Sequence, residues 1–288
     1  MRISELLADH QCFSFEIFPP KGEMSVWQAS GIAAELADQH PDWISVTFSA
    51  GGSGNSASTA AIARTVEEDG VGALAHFTCL GSSAAAADAF VDELRASGVS
   101  NIMALRGDPA PGREAVDYTF AKDLIAHVME RTPDMCVGAA CYPEGHVECG
   151  DFELSMEHLY QKQEAGADFL ISQLFFDNGL FYRFREACVR HRVKIPVVAG
   201  IMPFTSTKQI QRMAFTCGAT IPAAVIKRLV AAGDDPASQA AAGLEYAIEQ
   251  VRDLAANGVD GIHIYTMNQP AIGAAIHDEL VACGYLER

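Results

Sequence analysis

Cys12-Phe13-Ser14-Phe15-Glu16-Ile17-Phe18 is the stretch from which the fold of this chain can be read. Side chains alternate across a strand, so Phe13, Phe15 and Ile17 form one row and Ser14 and Glu16 the other. Seven more short apolar segments have strand character: Trp43–Phe48, Gly72–Thr78, Asn101–Leu105, Cys136–Cys141, Phe169–Gln173, Val197–Ile201 and Gly261–Tyr265. Helical patterns rich in Ala, Leu, Glu and Arg lie between them, such as Ala84–Ala96 and Phe181–His191. Strand alternating with helix marks a parallel sheet of the α/β class, and eight units suggest a closed (βα)8 TIM barrel. A doubly wound sheet is the alternative, but it would usually open with a glycine-rich nucleotide turn.

Successive strands are spaced by about thirty residues, the length of one strand-helix unit, until the seventh. The gap from Val197 to Gly261 is about twice as long and is expected to hold extra helices at Thr205–Cys217, Ala223–Ala232 and Pro236–Asn257. Gly98, Gly166 and Gly258 fall where helices should end in a left-handed cap. Barrels of roughly 250 residues commonly form one domain, so residues 1–288 are expected to be one catalytic domain.

Hydrophobic residues make up 49% of the chain and charged residues 20%, enough for a large core. The apolar runs are short and the first residues lack a secretory pattern, so neither a membrane span nor a signal peptide is expected. The expected compartment is the cytoplasm. A net charge of −17, from 20 basic and 37 acidic residues, argues against a nucleic-acid partner, which would need clustered cations. A phosphate-bearing cofactor would have to be held by a few local cations. The eight cysteines form no C-x-x-C pair and read as reduced thiols. Cys141, His146 and Cys149 match no standard zinc spacing, so no metal is expected.

Polar residues gather late in the strands: Glu16, Thr47, His76, Thr78, Arg106, Tyr142, Gln173 and Tyr265. Catalytic groups of this fold sit at that end, which points to an enzyme. Glu16 lies in an apolar stretch, where desolvation should raise a carboxyl's pKa into the range of a general acid. Its other reading is a strand-end partner for Arg or Lys. Arg106-Gly107-Asp108-Pro109 reads either as a ligand-holding turn or as a local Arg–Asp ion pair. Ala50-Gly51-Gly52-Ser53-Gly54-Asn55 is either a phosphate cradle or a flexible loop. His76 and His146 suit phosphates or ring edges, or are ordinary polar core histidines. Phe175 and Phe176 read as packing.

Together these pieces resemble the methylenetetrahydrofolate reductase family along nearly the whole chain. The resemblance rests on FSFEIFPPK at 13–21, SVTF at 45–48, AHFTC at 75–79, ALRGDPAPG at 104–112 and AACYPEGH at 139–146. It continues through KQEAGADFLISQLFFD at 162–177, AGIMPFTSTKQ at 199–209, IPAAVIKRL at 221–229 and HIYTMNQ at 263–269. It implies a flavin barrel, usually with FAD and otherwise with FMN, that passes hydride from NADH or NADPH through flavin N5 to methylenetetrahydrofolate in ping-pong order. Glu16 would then be the acid that opens the folate ring, and Asp108 the charge that tunes the flavin and orients the folate. Thr47, His76, Arg106, Gly107, Asp108, Ala121, Tyr142, His146, His158 and Lys162 fall on flavin-contact positions; Gln173, Gln209 and Gln269 fall on the substrate side.

Gln269, Ser155 and Met213 depart from the bacterial pattern, at positions often held by an arginine, an aspartate and an aromatic. The chain ends at Arg288, soon after the last strand, which implies the short bacterial form without the regulatory domain of eukaryotic relatives. A homo-oligomer is expected. The alternatives are a subunit fed electrons by a partner protein, a non-catalytic folate- or corrinoid-handling subunit, and another flavin barrel with a different substrate.

Overall fold

The computed structural model describes residues 1–20, 24–48, 56–109, 111–112 and 114–286. The glycine-rich segment at 50–55 lies outside the described residues. The strands are β1 (Cys12–Ile17), β2 (Trp43–Val46), β3 (Gly72–Thr78), β4 (Asn101–Leu105), β5 (Cys136–Cys141), β6 (Phe169–Ser172), β7 (Val197–Ile201) and β8 (Gly261–Tyr265). They pair in parallel, in sequence order, and β8 closes on β1 to complete the barrel. All eight expected strands are present. β1, β2 and β6 stop one or two residues short of expectation, so Phe18, Thr47, Phe48 and Gln173 lie beyond the ladder.

Alternation decides where each row goes. Phe13, Phe15 and Ile17 join the large core between strands and helices, each essentially unexposed. Burying side chains of this kind contributes about 1.5–3 kcal/mol each. Helices α2 (Val26–Ala37), α3 (Ser56–Glu68), α4 (Ala84–Ala96), α5 (Ala121–Arg131), α6 (Phe152–Glu164), α7 (Asn178–Arg190) and α11 (Pro270–Ala282) make the outer ring, with three more described below. Several start on a side chain that accepts an otherwise unpaired helix N–H: Ser25, Ser83, Asp151 and Asp177. Gly98, Gly166 and Gly258 adopt positive φ at the turns before β4, β6 and β8, as expected of left-handed caps.

A short helix that the sequence pattern does not predict, α1 (Ile3–Asp9), closes the bottom of the barrel. Ile3 is fully buried there, and its N–H donates to Asn101 Oδ1 at 2.9 Å. The long gap after β7 holds α8 (Thr207–Cys217), α9 (Ala223–Ala232) and α10 (Pro236–Ala256), as expected. Helix α10 lies hard against the loop after β7. A Cβ placed on Gly243 would fall 1.7 Å from the Phe204 carbonyl oxygen.

That contact generates a stability prediction. Gly243→Ala must push α10 off a backbone carbonyl, so thermal or urea unfolding should show a loss at or above the roughly 1–3 kcal/mol typical of overpacking. An unchanged midpoint would mean that α10 does not bear on the β7 loop.

Candidate active site

The barrel lumen is built in three storeys. Its floor is an apolar cluster of Cys12, Trp43, Leu74, Met103, Cys136, Phe169, Ile171 and Val198, sealed by Ile3. Above it the same strand rows turn polar: Ser14, Ser45, His76 and His263 are all buried. At the top stands Glu16, with its side chain 21% exposed. The apolar residues beside Glu16 in sequence point outward to the helices, so they do not surround its carboxyl. Nor does it pair with Arg or Lys among the described residues. Two imidazoles approach it instead: His76 Nε2 lies 3.7 Å from Oε2, and His263 Nε2 lies 3.6 Å from the same oxygen.

Neither ring nitrogen has a hydrogen-bond partner among the described residues, and both are buried. Burial pulls the His76 pKa down to about 4, against the smaller upward pull of Glu16, so its ring is neutral at pH 7. His263 is fully buried, and its Nδ1 lies 2.8 Å from Ser14 Oγ. Sequence reasoning missed this histidine. Strand parity would have found it, because it shares the lumen-facing row of β8 with Tyr265.

A second part of the rim is a cavity of about 310 Å³ at the ends of β4 and β5, walled by the start of α5 and one face of α6. Arg106, Ala121, Tyr142, His146, His158 and Lys162 all line it, which gathers six of the expected flavin-contact positions. Leu105, Leu154, Met156 and Leu159 supply apolar wall. Lys162 is its most telling member. Its Nζ donates to the Ala140 carbonyl at 2.7 Å and sits 5.5 Å from the Tyr142 ring centre. No carboxylate pairs with it among the described residues, and burial pulls its pKa down to about 8. Tyr142 meets His146 edge to face at 4.6 Å. The His146 pKa is lowered, first by burial and then by the Arg106 charge.

Arg106 does not form the local pair with Asp108. It binds Glu148, on the loop before α6, at 2.6 Å. Asp108 is exposed, and its charge still acts on Tyr142 and His146. Gly107 has φ +84°, and a Cβ there would press on Thr78 at 3.0 Å, so the turn after β4 requires glycine. Thr47 is held by its backbone: its N–H donates to the Ile17 carbonyl at 3.0 Å, and its carbonyl accepts from Thr59 Oγ1 at 3.1 Å.

The substrate-side glutamines are not equivalent. Gln173 follows β6 half-buried, with Oε1 accepting from the Leu174 N–H at 2.9 Å. Gln209 serves the start of α8, where its Oε1 accepts from the Thr205 N–H at 2.6 Å and hydroxyl at 3.0 Å. Its amide NH2 alone is left to meet a ligand. Gln269 is exposed at the N-cap of α11 and makes no side-chain cap bond. Ser155 lines the cavity and accepts from the His146 N–H at 3.3 Å. Met213 packs on the cluster around Phe176 and Phe204. Phe175 and Phe176 are buried, as expected of packing.

Cys141, His146 and Cys149 do not gather their donor atoms. Among the described residues the one His/Cys/carboxylate group within metal-binding reach is His10, Cys12 and Asp42, at the opposite end of β1. There His10 Nε2 and Asp42 Oδ1 already meet at 2.6 Å.

The buried lysine generates a prediction with a definite sign. Its folded pKa of about 8 lies below the ordinary 10.5, so the folded protein carries the cost of a buried charge at pH 7. Lys162→Met should therefore stabilise the ligand-free protein by roughly 3 kcal/mol at neutral pH. That gain should fade as pH rises from about 8 to 10.5. Thermal unfolding of both proteins across this range checks it; a pH-independent difference would contradict it.

The family model for methylenetetrahydrofolate reductase matches residues 2–281. The chain is 31% identical over 274 residues to 5,10-methylenetetrahydrofolate reductase of Escherichia coli (strain K12), with 91% of this chain and 88% of that protein covered. It is 30% identical over 286 residues to methylenetetrahydrofolate reductase (NADH) 1 of Arabidopsis thaliana, covering 93% of this chain and 48% of that protein. The chain thus spans about half the length of the plant relative. Among solved structures, a protein from Clostridium thermocellum described as binding two copies of 5-methyl-5,6,7,8-tetrahydrofolic acid has a TM-score of 0.64 at 12% identity, over 96% of this chain and 98% of that one. At that identity the likeness shows the barrel fold alone. The sequence match covers nearly the whole chain, strand ends and cavity included, and it places the protein in the methylenetetrahydrofolate reductase family.

Proposed function

We propose that this protein reduces 5,10-methylenetetrahydrofolate to 5-methyltetrahydrofolate, using a bound flavin (FAD, with FMN the alternative) and NADH or NADPH. When bound, the flavin supplies the hydride chemistry, taking hydride from the nicotinamide and returning it to the folate methylene carbon. The cavity at the ends of β4 and β5 suits such a group. A half-buried ammonium without a carboxylate partner among the described residues calls for an anionic ligand, and Lys162 is one. Lys162, Arg106 and His146 would hold the anionic and polar parts, with Leu105, Leu154 and Leu159 against the apolar ring. A phosphate there competes with Glu148 for Arg106. Asp108 brings its charge to the same edge, and the Gln173 amide NH2, its oxygen taken by the Leu174 N–H, would orient the substrate.

The net reaction consumes one hydride and one proton. Glu16 is the proton source, and the observation that carries this reading is its carboxyl, raised on a buried polar storey at the functional end of the barrel. Protonating the folate opens its five-membered ring and exposes the methylene carbon.

Anaerobic stopped-flow absorbance at the flavin band separates the two halves of the reaction. The reduced flavin of the wild type should be reoxidised by methylenetetrahydrofolate; if it stays reduced, the proposed reaction is wrong. Glu16→Gln should keep the nicotinamide half-reaction and slow folate reduction by roughly 10²- to 10⁴-fold. An equal loss in both halves would make Glu16 a structural residue.

A further inference from the structure

The polar storey beneath Glu16 contains a hydrogen-bonding problem with one good solution. Ser14 Oγ and His263 Nδ1 are 2.8 Å apart, and both residues are fully buried. Ser14 and His263 are also register partners on β1 and β8, so the backbone ladder holds them side by side. A neutral imidazole has one N–H and one bare nitrogen, and a hydroxyl has one proton to give. If Nδ1 carried the proton and donated to Ser14, the serine proton would have no acceptor among the described residues. That would leave a buried donor unpaired, at the full cost of its desolvation. If Ser14 donates to Nδ1, the serine is satisfied and the ring proton sits on Nε2. Nε2 has no hydrogen-bond partner among the described residues, and Glu16 Oε2 is the carboxyl oxygen beside it, at 3.6 Å. His76 Nε2 is likewise unpartnered and faces the same oxygen at 3.7 Å.

We propose that His263 is a positioning residue for the acid: Ser14 locks its tautomer so that Nε2–H is aimed at Glu16 Oε2, which leaves Oε1 to carry the transferable proton. The inference rests on Glu16 being the proton donor of the reaction proposed above. An oxygen that accepts from ring N–H groups is a poor place for a proton, so the carboxyl is protonated on its other oxygen. The separations exceed a hydrogen bond by a few tenths of an ångström, and a small rotation of the Glu16 side chain closes them. Tyr265 supports the same arrangement. Its ring meets that of His263 edge to face at 5.3 Å and 84°, and its hydroxyl is tied to the Ser172 carbonyl at 2.6 Å, so the imidazole plane is held from a second side.

The tautomer can be read without turnover. Nitrogen NMR of the flavin-loaded protein labelled in its histidine rings, with His263→Gln used for assignment, should show His263 protonated on Nε2. Ser14→Ala should shift it towards a mixture of the two forms. A wild-type ring protonated on Nδ1, or one indifferent to Ser14→Ala, overturns the proposal. Kinetics give the second reading. His263→Leu should keep the nicotinamide half-reaction and slow folate reduction at saturating folate by roughly 10- to 100-fold, the worth of one charge-assisted hydrogen bond. His263→Gln retains an N–H of similar reach and should recover most of that rate. Equal damage in Leu and Gln variants would mean a packing role and sink the idea. If the wild type itself fails to reduce folate, the proposed reaction falls, and the NMR result still decides the tautomer.

Discussion

Closing eight parallel strands on themselves forces every second side chain into a space with no other occupant. Whatever stands in those rows must either fill the lumen or find a partner inside it. At the bottom the rows are filled by Trp43, Leu74, Met103 and Phe169, and α1 lays Ile3 across the opening. At the top they carry the polar groups. Between the two lies the storey of Ser14, Ser45, His76 and His263, buried and too polar for simple packing. Glu16 stands on that storey, so its carboxyl meets imidazoles carried by β3 and β8.

The same economy governs charge. A chain of net charge −17 keeps its cations paired over much of its surface, as in Arg131 with Asp92 and Arg252 with Glu279. Lys162 is the departure. It is half-buried, it rests on a carbonyl and an aromatic ring, and its proton is held less tightly than usual because desolvation opposes the charge. Such a group destabilises the empty protein, and an arriving anion relieves it.

Much of this was legible in the sequence, because strand alternation and helix caps act over a few residues. The eight strands and the extra helices after β7 follow from such local patterns, whereas the six cavity positions were expected from the family resemblance alone. What was not legible depends on contacts between distant segments. Glu16 has apolar neighbours in sequence, yet Phe15 and Ile17 face the helices while the carboxyl faces His76 and His263. Of the two readings of the Arg106 turn, the local pair with Asp108 does not form, because the partner of Arg106 is Glu148 on another loop. Gln209 gives its carbonyl to the start of α8, a local demand that its substrate-side position conceals. Helix α1 is too short to show a period of its own.

Tyr265 joins the acid side of the rim to its neighbours, and it can do so because of a residue with no side chain. Its hydroxyl on β8 reaches the Ser172 carbonyl on β6 by passing over β7 at Gly200. A Cβ there would lie 2.3 Å from the Ser172 oxygen and 2.7 Å from the tyrosine hydroxyl. Any larger residue would lift the ring that also holds the plane of His263. Burial keeps the Tyr265 hydroxyl protonated, its pKa pushed well above the usual value, so it remains a donor at physiological pH. The plane of the imidazole beneath Glu16 thus depends on close packing one strand away, where a single methyl group would disturb a hydrogen bond and a ring contact.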